Sequence, residues 1–234
     1  MKLLVANWKM APDTALQAVE LTKKTLVIAR QNKKYITMIV CPPFIHLQTV
    51  AKITKTISVG AQSVAPVNII ASTGLVNTSM LKASGATYCI VGHSETRARG
   101  ETNDSVKAQL DRLLEKKLIP ILCVGEHDRD LHGWYLSTIK DQIERAFANV
   151  PKATAKRVVI AYEPVWAIGE RATREATPVE CNEMIIFIKK VTADLYDEKT
   201  ASAMTILYGG SVNEINAGAF VTDGGADGLL VGRV

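Results

Sequence analysis

The stretch VVIAYEPVWAIG, residues 158–169, decides the fold of this chain of 234 residues. Its first part, Val158–Tyr162, is continuously apolar, as is typical of a parallel strand that is buried on both faces. A glutamate and a proline then interrupt the apolar run. A helix is predicted over Pro178–Asp197, because Thr177 can cap it and proline suits the first helical position. The stretch therefore predicts a strand, a polar loop and a helix in that order.

The same order of strand and helix recurs along the whole chain. Apolar residues at helical spacing separate the strands, most clearly within Asn103–Lys116. Alternation of this kind predicts either a (β/α)8 barrel or an open doubly wound sheet. No GxGxxG or GxxxxGK[ST] motif follows the first strand, which disfavours an open sheet that binds nucleotides. The predicted strands are Leu3–Ala6, Thr37–Cys41, Ser58–Ala61, Tyr88–Gly92, Pro120–Val124, Val158–Tyr162, Thr205–Tyr208 and Gly228–Val231.

We therefore expect an α/β fold in which a (β/α)8 barrel forms a single domain over residues 1–234. Each of the first seven predicted strands is followed by enough residues for a helix. The eighth is followed only by Gly232-Arg233-Val234. We accordingly expect a barrel that lacks its final helix.

Composition excludes several classes of protein. With 47% hydrophobic and 22% charged residues the chain can bury a full core, and no apolar run approaches the ~20 residues of a membrane span. The start has no apolar region of the ~7–15 residues that a secretory signal needs, so we expect a cytoplasmic protein. The net charge is +5, and the basic residues are interleaved with acidic ones. This pattern disfavours binding of nucleic acid and suits a small anionic substrate. Four separated cysteines without a CxxC pair indicate free thiols.

Polar residues stand at the C-terminal ends of the predicted strands, where a (β/α)8 barrel builds its active site. Lys9 follows the first strand, His93 the fourth and Glu163 the sixth, while glycine-containing turns at Gly209-Gly210-Ser211 and Gly232 follow the last two. Each residue alone has an ordinary explanation as a solvated charge, a hydrogen-bonding group or a helix cap. Together they provide a cation, an imidazole, a carboxylate base and a cradle for an anion, so we interpret them as one catalytic site.

Four segments at these strand ends resemble the signature segments of the triosephosphate isomerase family. They are NWKM (residues 7–10), GHSE (92–95), AYEPVWAIG (161–169) and YGGSV (208–212), and they occur in the family's order across the chain. The resemblance implies a TIM barrel that interconverts glyceraldehyde 3-phosphate and dihydroxyacetone phosphate through an enediolate, in glycolysis and gluconeogenesis. It implies neither a metal nor a cofactor. The cluster of Cys123, Glu126, His127 and His132 also fits no common zinc spacing.

The resemblance assigns catalytic roles to individual residues. Glu163 would be the general base that moves a proton between two carbons. His93 would polarise the carbonyl as a neutral imidazole, and Lys9 would supply a fixed positive charge, assisted by Asn7. Ser94 and Glu95 would hold Lys9 and His93 from behind.

The family also implies a phosphate site and a lid. Backbone N–H groups of Gly169, Ser211, Gly232 and Arg233 would bind the phosphate of the substrate. Residues 164–176 would close over the substrate and exclude water. The lid is about two residues longer here than in the common pattern of the family.

The family further implies a homodimer through the loop Ser63–Val76. Leu75 and Thr96 stand where the family usually has a glutamate and an arginine that form an ion pair, so both charges are absent together. The loop has no charged residue, and we expect it to pack against a second copy with Thr73 near its tip. Two other functions stay open: a catalytically weak barrel that serves as a scaffold, and an isomerase of another phosphosugar.

Overall fold

Eight parallel strands form a closed barrel in the computed structural model, which describes residues 1–67, 69–169, 172 and 174–232. Each strand pairs with the next in chain order, and β8 pairs with β1. This confirms the predicted (β/α)8 barrel. The strands are β1 (Lys2–Asn7), β2 (Ile36–Cys41), β3 (Ser58–Ala61), β4 (Tyr88–Val91), β5 (Ile119–Val124), β6 (Val159–Tyr162), β7 (Thr205–Tyr208) and β8 (Gly228–Val231).

Helices follow the strands along the chain. No helix follows β8 within the described residues, which reach Gly232. The helices are α1 (Ala15–Gln31), α2 (Phe44–Ile53), α3 (Thr78–Ala83), α4 (Ser94–Ala98), α5 (Asn103–Glu115), α6 (Trp134–Phe147), α7 (Lys152–Ala155), α8 (Pro178–Leu195), α9 (Glu198–Ala203) and α10 (Ala217–Thr222).

The apolar strands are buried on both faces, which explains why their sequences do not alternate. One cluster of buried residues contains strand side chains alone, including Val5, Ile39, Ile121 and Leu207, and it fills the barrel. A second, larger cluster joins the outer faces of the strands to the helices. The two layers hold the strand ends in fixed positions, and those ends carry the polar residues.

Helix α8 begins as predicted and ends earlier. Thr177 accepts a hydrogen bond from the backbone of Glu180, the side chain of Glu180 completes the capping box, and Pro178 occupies the first turn. The predicted end at Asp197 was wrong by two residues. Asp197 instead caps α9, where its side chain accepts from the N–H of Thr200. A side chain that favours an N-cap thus competed with continuation of the helix.

Gly228 allows the last strand to close on the first. A Cβ atom at this position would lie 1.8 Å from the carbonyl oxygen of Leu3 and 2.7 Å from its nitrogen. Both are backbone atoms of the neighbouring strand, so neither can rotate away. Only glycine fits at this crossing of the two strands.

We expect Gly228→Ala to destabilise the protein by about 3 kcal/mol, the upper range for overpacking, and to lower its Tm by roughly 6–12 °C. Thermal unfolding followed by circular dichroism would measure the change. Gly218→Ala is the matched control, because no atom lies within 4 Å of the added Cβ in α10. Equal melting temperatures for the two variants would contradict the role of Gly228 in closure.

Candidate active site

The carboxylate of Glu163 lies at the centre of the strand ends. Its Oε1 is 3.1 Å from Nε2 of His93, and its Oε2 accepts a hydrogen bond from the backbone N–H of Ser94 at 2.8 Å. The residue is only 2% exposed. Its own backbone N–H donates to the carbonyl of Val124 at 2.8 Å, so the ladder between β5 and β6 continues one residue beyond β6.

The first turn of α4 fixes the tautomer of His93. Nδ1 of its ring accepts a hydrogen bond from the backbone N–H of Glu95 at 3.1 Å. A nitrogen that accepts carries no proton, so in the neutral ring the proton lies on Nε2. Nε2 therefore donates to Glu163, and the same N–H could donate to a substrate oxygen.

Lys9 is held by both its backbone and its side chain. It has a positive φ of 53°, which is uncommon for a residue with a side chain. Its N–H donates to Oδ1 of Asn7 at 3.1 Å, and its carbonyl accepts from Nε2 of Gln62 at 2.8 Å. Its ammonium lies 2.6 Å from Oε1 of Glu95. Burial alone would raise the pKa of the Glu95 carboxyl, but the hydrogen bond and charge of Lys9 hold it below its ordinary value.

The predicted supporting residues lie close to the site, and Glu95 contacts both Lys9 and His93. Ser94 contacts Glu163 through its backbone N–H. Asn7 is buried, and its side-chain oxygen fixes the turn that carries Lys9. Gln62 was not predicted, although its amide bridges the carbonyls of Lys9 and Cys41. A single glutamine directly after a strand gives no signal of a contact with a turn so distant in sequence.

Cys123 of neighbouring β5 and Gly125 just after this strand also pack against Glu163. A Cβ at Gly125 would lie 1.9 Å from the carbonyl oxygen of Glu163, so the backbone of the glutamate rests directly on the glycine. Burial raises the pKa of the Cys123 thiol well above its ordinary value, and the charge of Glu163 raises it further. The thiol is therefore a neutral packing partner of the carboxylate.

The structure describes three of the four residues that were predicted to bind phosphate, namely Gly169, Ser211 and Gly232. A Cβ at Gly232 would lie 2.8 Å from Cε of Lys9, so the glycine turn after β8 adjoins the lysine. Oγ of Ser211 donates to the carbonyl of Ala167 at 2.8 Å, two residues before Gly169. Arg233 lies outside the described residues.

A buried carboxylate anchors the N-terminal end of the predicted lid. Trp166 belongs to a short 3-10 turn, and its Nε1–H donates to Oε1 of Glu126 at 2.7 Å. The hydroxyl of Tyr162 donates to the same oxygen at 2.8 Å. Burial raises the pKa of the Glu126 carboxyl, although the two donors oppose the shift.

The C-terminal end of the lid carries an arginine that reaches back to this tryptophan. Arg174 lies over the ring of Trp166 with its central carbon 4.4 Å from the ring centroid. Its Nη1 donates to Oε2 of Glu180 at 2.9 Å and its Nη2 to Oε1 at 2.5 Å. The hydrogen bond from Arg174 is the main reason that the pKa of Glu180 falls to about 2.

Over the described ranges, no group of three or more His, Cys, Asp or Glu side chains is arranged to hold a metal ion. Nor is any helix in that part of the chain both long and apolar enough to cross a membrane.

Comparison with known proteins agrees with the geometry. The family model described as triosephosphate isomerase matches residues 2–234. Curated proteins named triosephosphate isomerase include one from Caldanaerobacter subterraneus subsp. tengcongensis, 37% identical over 98% of this chain and 92% of its own length. Those from Dictyoglomus turgidum and Endomicrobium trichonymphae are 34% and 38% identical, over 99% and 98% of this chain and 93% and 92% of their own lengths. With a match that spans both partners almost completely, the chain belongs to the triosephosphate isomerase family of enzymes.

Proposed function

We propose that the protein interconverts glyceraldehyde 3-phosphate and dihydroxyacetone phosphate, as a step of glycolysis and gluconeogenesis. The single observation that carries this proposal is the convergence of three strand ends: Glu163 contacts His93, and Lys9 contacts Glu95, whose N–H donates to the ring of His93. The free thiols of all four cysteines favour a reducing compartment, so we assign the reaction to the cytoplasm.

Glu163 acts as the base. Its carboxylate takes the proton from the substrate carbon next to the carbonyl, and the C–H electron pair forms the double bond of an enediolate. The Nε2–H of His93 donates to the oxygen on which negative charge develops. Glu163 then returns the proton to the neighbouring carbon, so no atom is gained or lost. The carboxylate contacts His93 and Ser94, so it has to leave both to reach the substrate carbon.

Lys9 provides the positive charge that the anionic substrate requires. The ammonium adjoins the turn at Gly232, one of the glycines that we propose to bind the phosphate, together with Gly169, Ser211 and Arg233. The carboxylate of Glu95, 2.6 Å away, partly compensates the charge of Lys9 before substrate binds. The substrate then replaces that carboxylate with a phosphate and an enediolate oxygen. No metal or cofactor takes part in the proposed reaction.

Shortening the base tests the role of Glu163. We expect Glu163→Asp to lower kcat about 100-fold with little change in KM, because an error of ~1 Å in the position of a catalytic group costs about that much. A coupled assay on glyceraldehyde 3-phosphate measures both constants. Glu144→Asp, an exposed glutamate of α6, is the matched control. Turnover near the wild-type value would remove Glu163 from the role of base.

The wild-type assay also separates the competing functions. A scaffold without catalysis would convert no triose phosphate. An isomerase of another phosphosugar would convert a longer substrate faster than glyceraldehyde 3-phosphate. Either result would contradict the proposed reaction.

We also propose that the protein is a homodimer through the loop Ser63–Val76. Ile69, Ile70 and Leu75 of this loop expose their side chains, and Ile70 is fully exposed. Thr96 stands where the family usually has an arginine. Its hydroxyl donates to Oε2 of Glu101 at 2.6 Å, which is a contact within the same chain. The interface would then depend on apolar contact instead of an ion pair.

A charge on the loop should separate the subunits. We expect Ile70→Glu to shift the protein from dimer to monomer at low micromolar concentration, because it places an unpaired carboxylate in an apolar contact. Sedimentation velocity measures the change. Ile215→Glu is the matched control, since Ile215 is also almost fully exposed but lies before α10. A monomeric wild-type protein at high micromolar concentration would refute the dimer.

A further inference from the structure

Arg174 connects the two ends of the lid, which comprises residues 164–176. Its guanidinium stacks on Trp166 near the first end. The same group forms a bidentate pair with Glu180, which lies in the first turn of α8 just beyond the second end. One side chain thus restrains both ends at once, and the planar fork of an arginine is suited to stack and to bind a carboxylate simultaneously.

Trp166 transmits this restraint to the base. It lies three residues after Glu163, and the turn between them contains a proline. The backbone of this turn is itself fixed, because the N–H of Val165 donates to the carbonyl of Glu126 at 3.0 Å. The indole donates to the carboxylate of Glu126, which is 1% exposed. Any displacement of Trp166 therefore disturbs the segment that positions Glu163.

The surroundings of Glu126 contain unused hydrogen-bonding capacity. Nε of Arg129 is 3.8 Å from Oε1 of Glu126, and Nη1 of Arg129 is 3.2 Å from Oε1 of Glu180. Nε and Nη2 of Arg129 and Oε2 of Glu126 are buried without a hydrogen-bond partner. Buried donors and acceptors are costly when left unsatisfied. If Trp166 left Glu126, Arg129 could donate to Oε1 in its place, so the cluster could accommodate a second arrangement of the tryptophan.

We propose that Arg174 is a positioning residue that acts through Trp166 to stabilise the resting position of Glu163, in which the carboxylate contacts His93 and Ser94. The inference rests on the proposed isomerase function. When substrate binds, Glu163 moves to the reacting carbon, and the Trp166 segment moves with it. Arg174 therefore raises the free-energy difference between the resting and substrate-bound arrangements.

The test is Arg174→Gln, which removes the charge and the bidentate fork. We expect this variant to bind 2-phosphoglycolate, a phosphorylated acid with the planar charge of an enediolate, about three- to tenfold more tightly, as the loss of one exposed cation–π contact and one exposed ion pair implies. KM should fall by a similar factor, and kcat should change by less. Arg174→Lys keeps the charge but lacks the planar fork, so it should give an intermediate affinity.

Arg145→Gln is the matched control, because Arg145 is as exposed as Arg174 (53% and 52%) and pairs with aspartates away from the lid. We expect Arg145→Gln to match the wild type. Glu180→Gln removes the charge of the partner while glutamine can still complete the capping box. Because Glu180 also pairs with Arg129, we expect this variant to change the affinity in the same direction as Arg174→Gln but not by the same factor.

A spectroscopic signal tests the inference independently of catalysis. The chain has three tryptophans, so ¹⁹F NMR of protein labelled with 5-fluorotryptophan should give three resonances, and Trp134→Phe and Trp8→Phe assign the third to Trp166. In the absence of ligand, Arg174→Gln should shift or broaden the Trp166 resonance, and Arg145→Gln should not. This result stands even if the wild-type protein proves not to isomerise triose phosphates.

Three outcomes would overturn the inference. The first is an unchanged Trp166 resonance together with an affinity for 2-phosphoglycolate within twofold of wild type. The second is weaker binding in Arg174→Gln. The third is an equal effect of Arg145→Gln, which would indicate a general effect of charge. Failure of the proposed function would instead appear as an inactive wild-type protein.

Discussion

Leu3 pairs with Gly228 and Ala6 with Val231, and this ladder between the first and last strands turns an eight-stranded sheet into a barrel. The site depends on this ladder, because Lys9 follows β1 while the turn at Gly232 follows β8. In an open sheet these residues would lie at opposite edges. In the barrel, the side chain of Lys9 can approach the backbone of Gly232 this closely because glycine has no Cβ. Closure therefore brings the lysine that follows β1 next to the glycine turn that follows β8.

The charged groups of the site lie against oppositely charged or hydrogen-bonding partners. Lys9 lies against Glu95, and Glu163 lies against the N–H groups of His93 and Ser94. Each pair limits the cost of keeping a charge in a partly buried place. It also keeps the groups apart: Glu163, the proposed base, is held by donors that a substrate oxygen could use. An anionic substrate would exchange partners with the site, and few new charges would have to be desolvated.

The fold and the family could be predicted from the sequence, because the signals were local. Buried parallel strands are continuously apolar, and reactive side chains directly follow them, as Glu163 does in VVIAYEPVWAIG. Contacts that depend on three-dimensional neighbours could not be predicted in this way. Gln62 reaches a carbonyl 53 positions away, and Arg129, in the loop before α6, meets Glu180 in the first turn of α8. The roles of the site residues stay predictions until they are measured.

The length of the lid illustrates why contacts matter more than chain entropy here. Closing a loop of thirteen residues instead of about eleven costs only ~0.15 kcal/mol more, since the cost grows with the logarithm of length. One exposed cation–π contact and one exposed ion pair contribute on the order of 1 kcal/mol together. Among the described residues of the lid, Arg174 has contacts that join both ends, and these contacts outweigh the small difference in chain entropy. A longer lid in this family need not be a looser one.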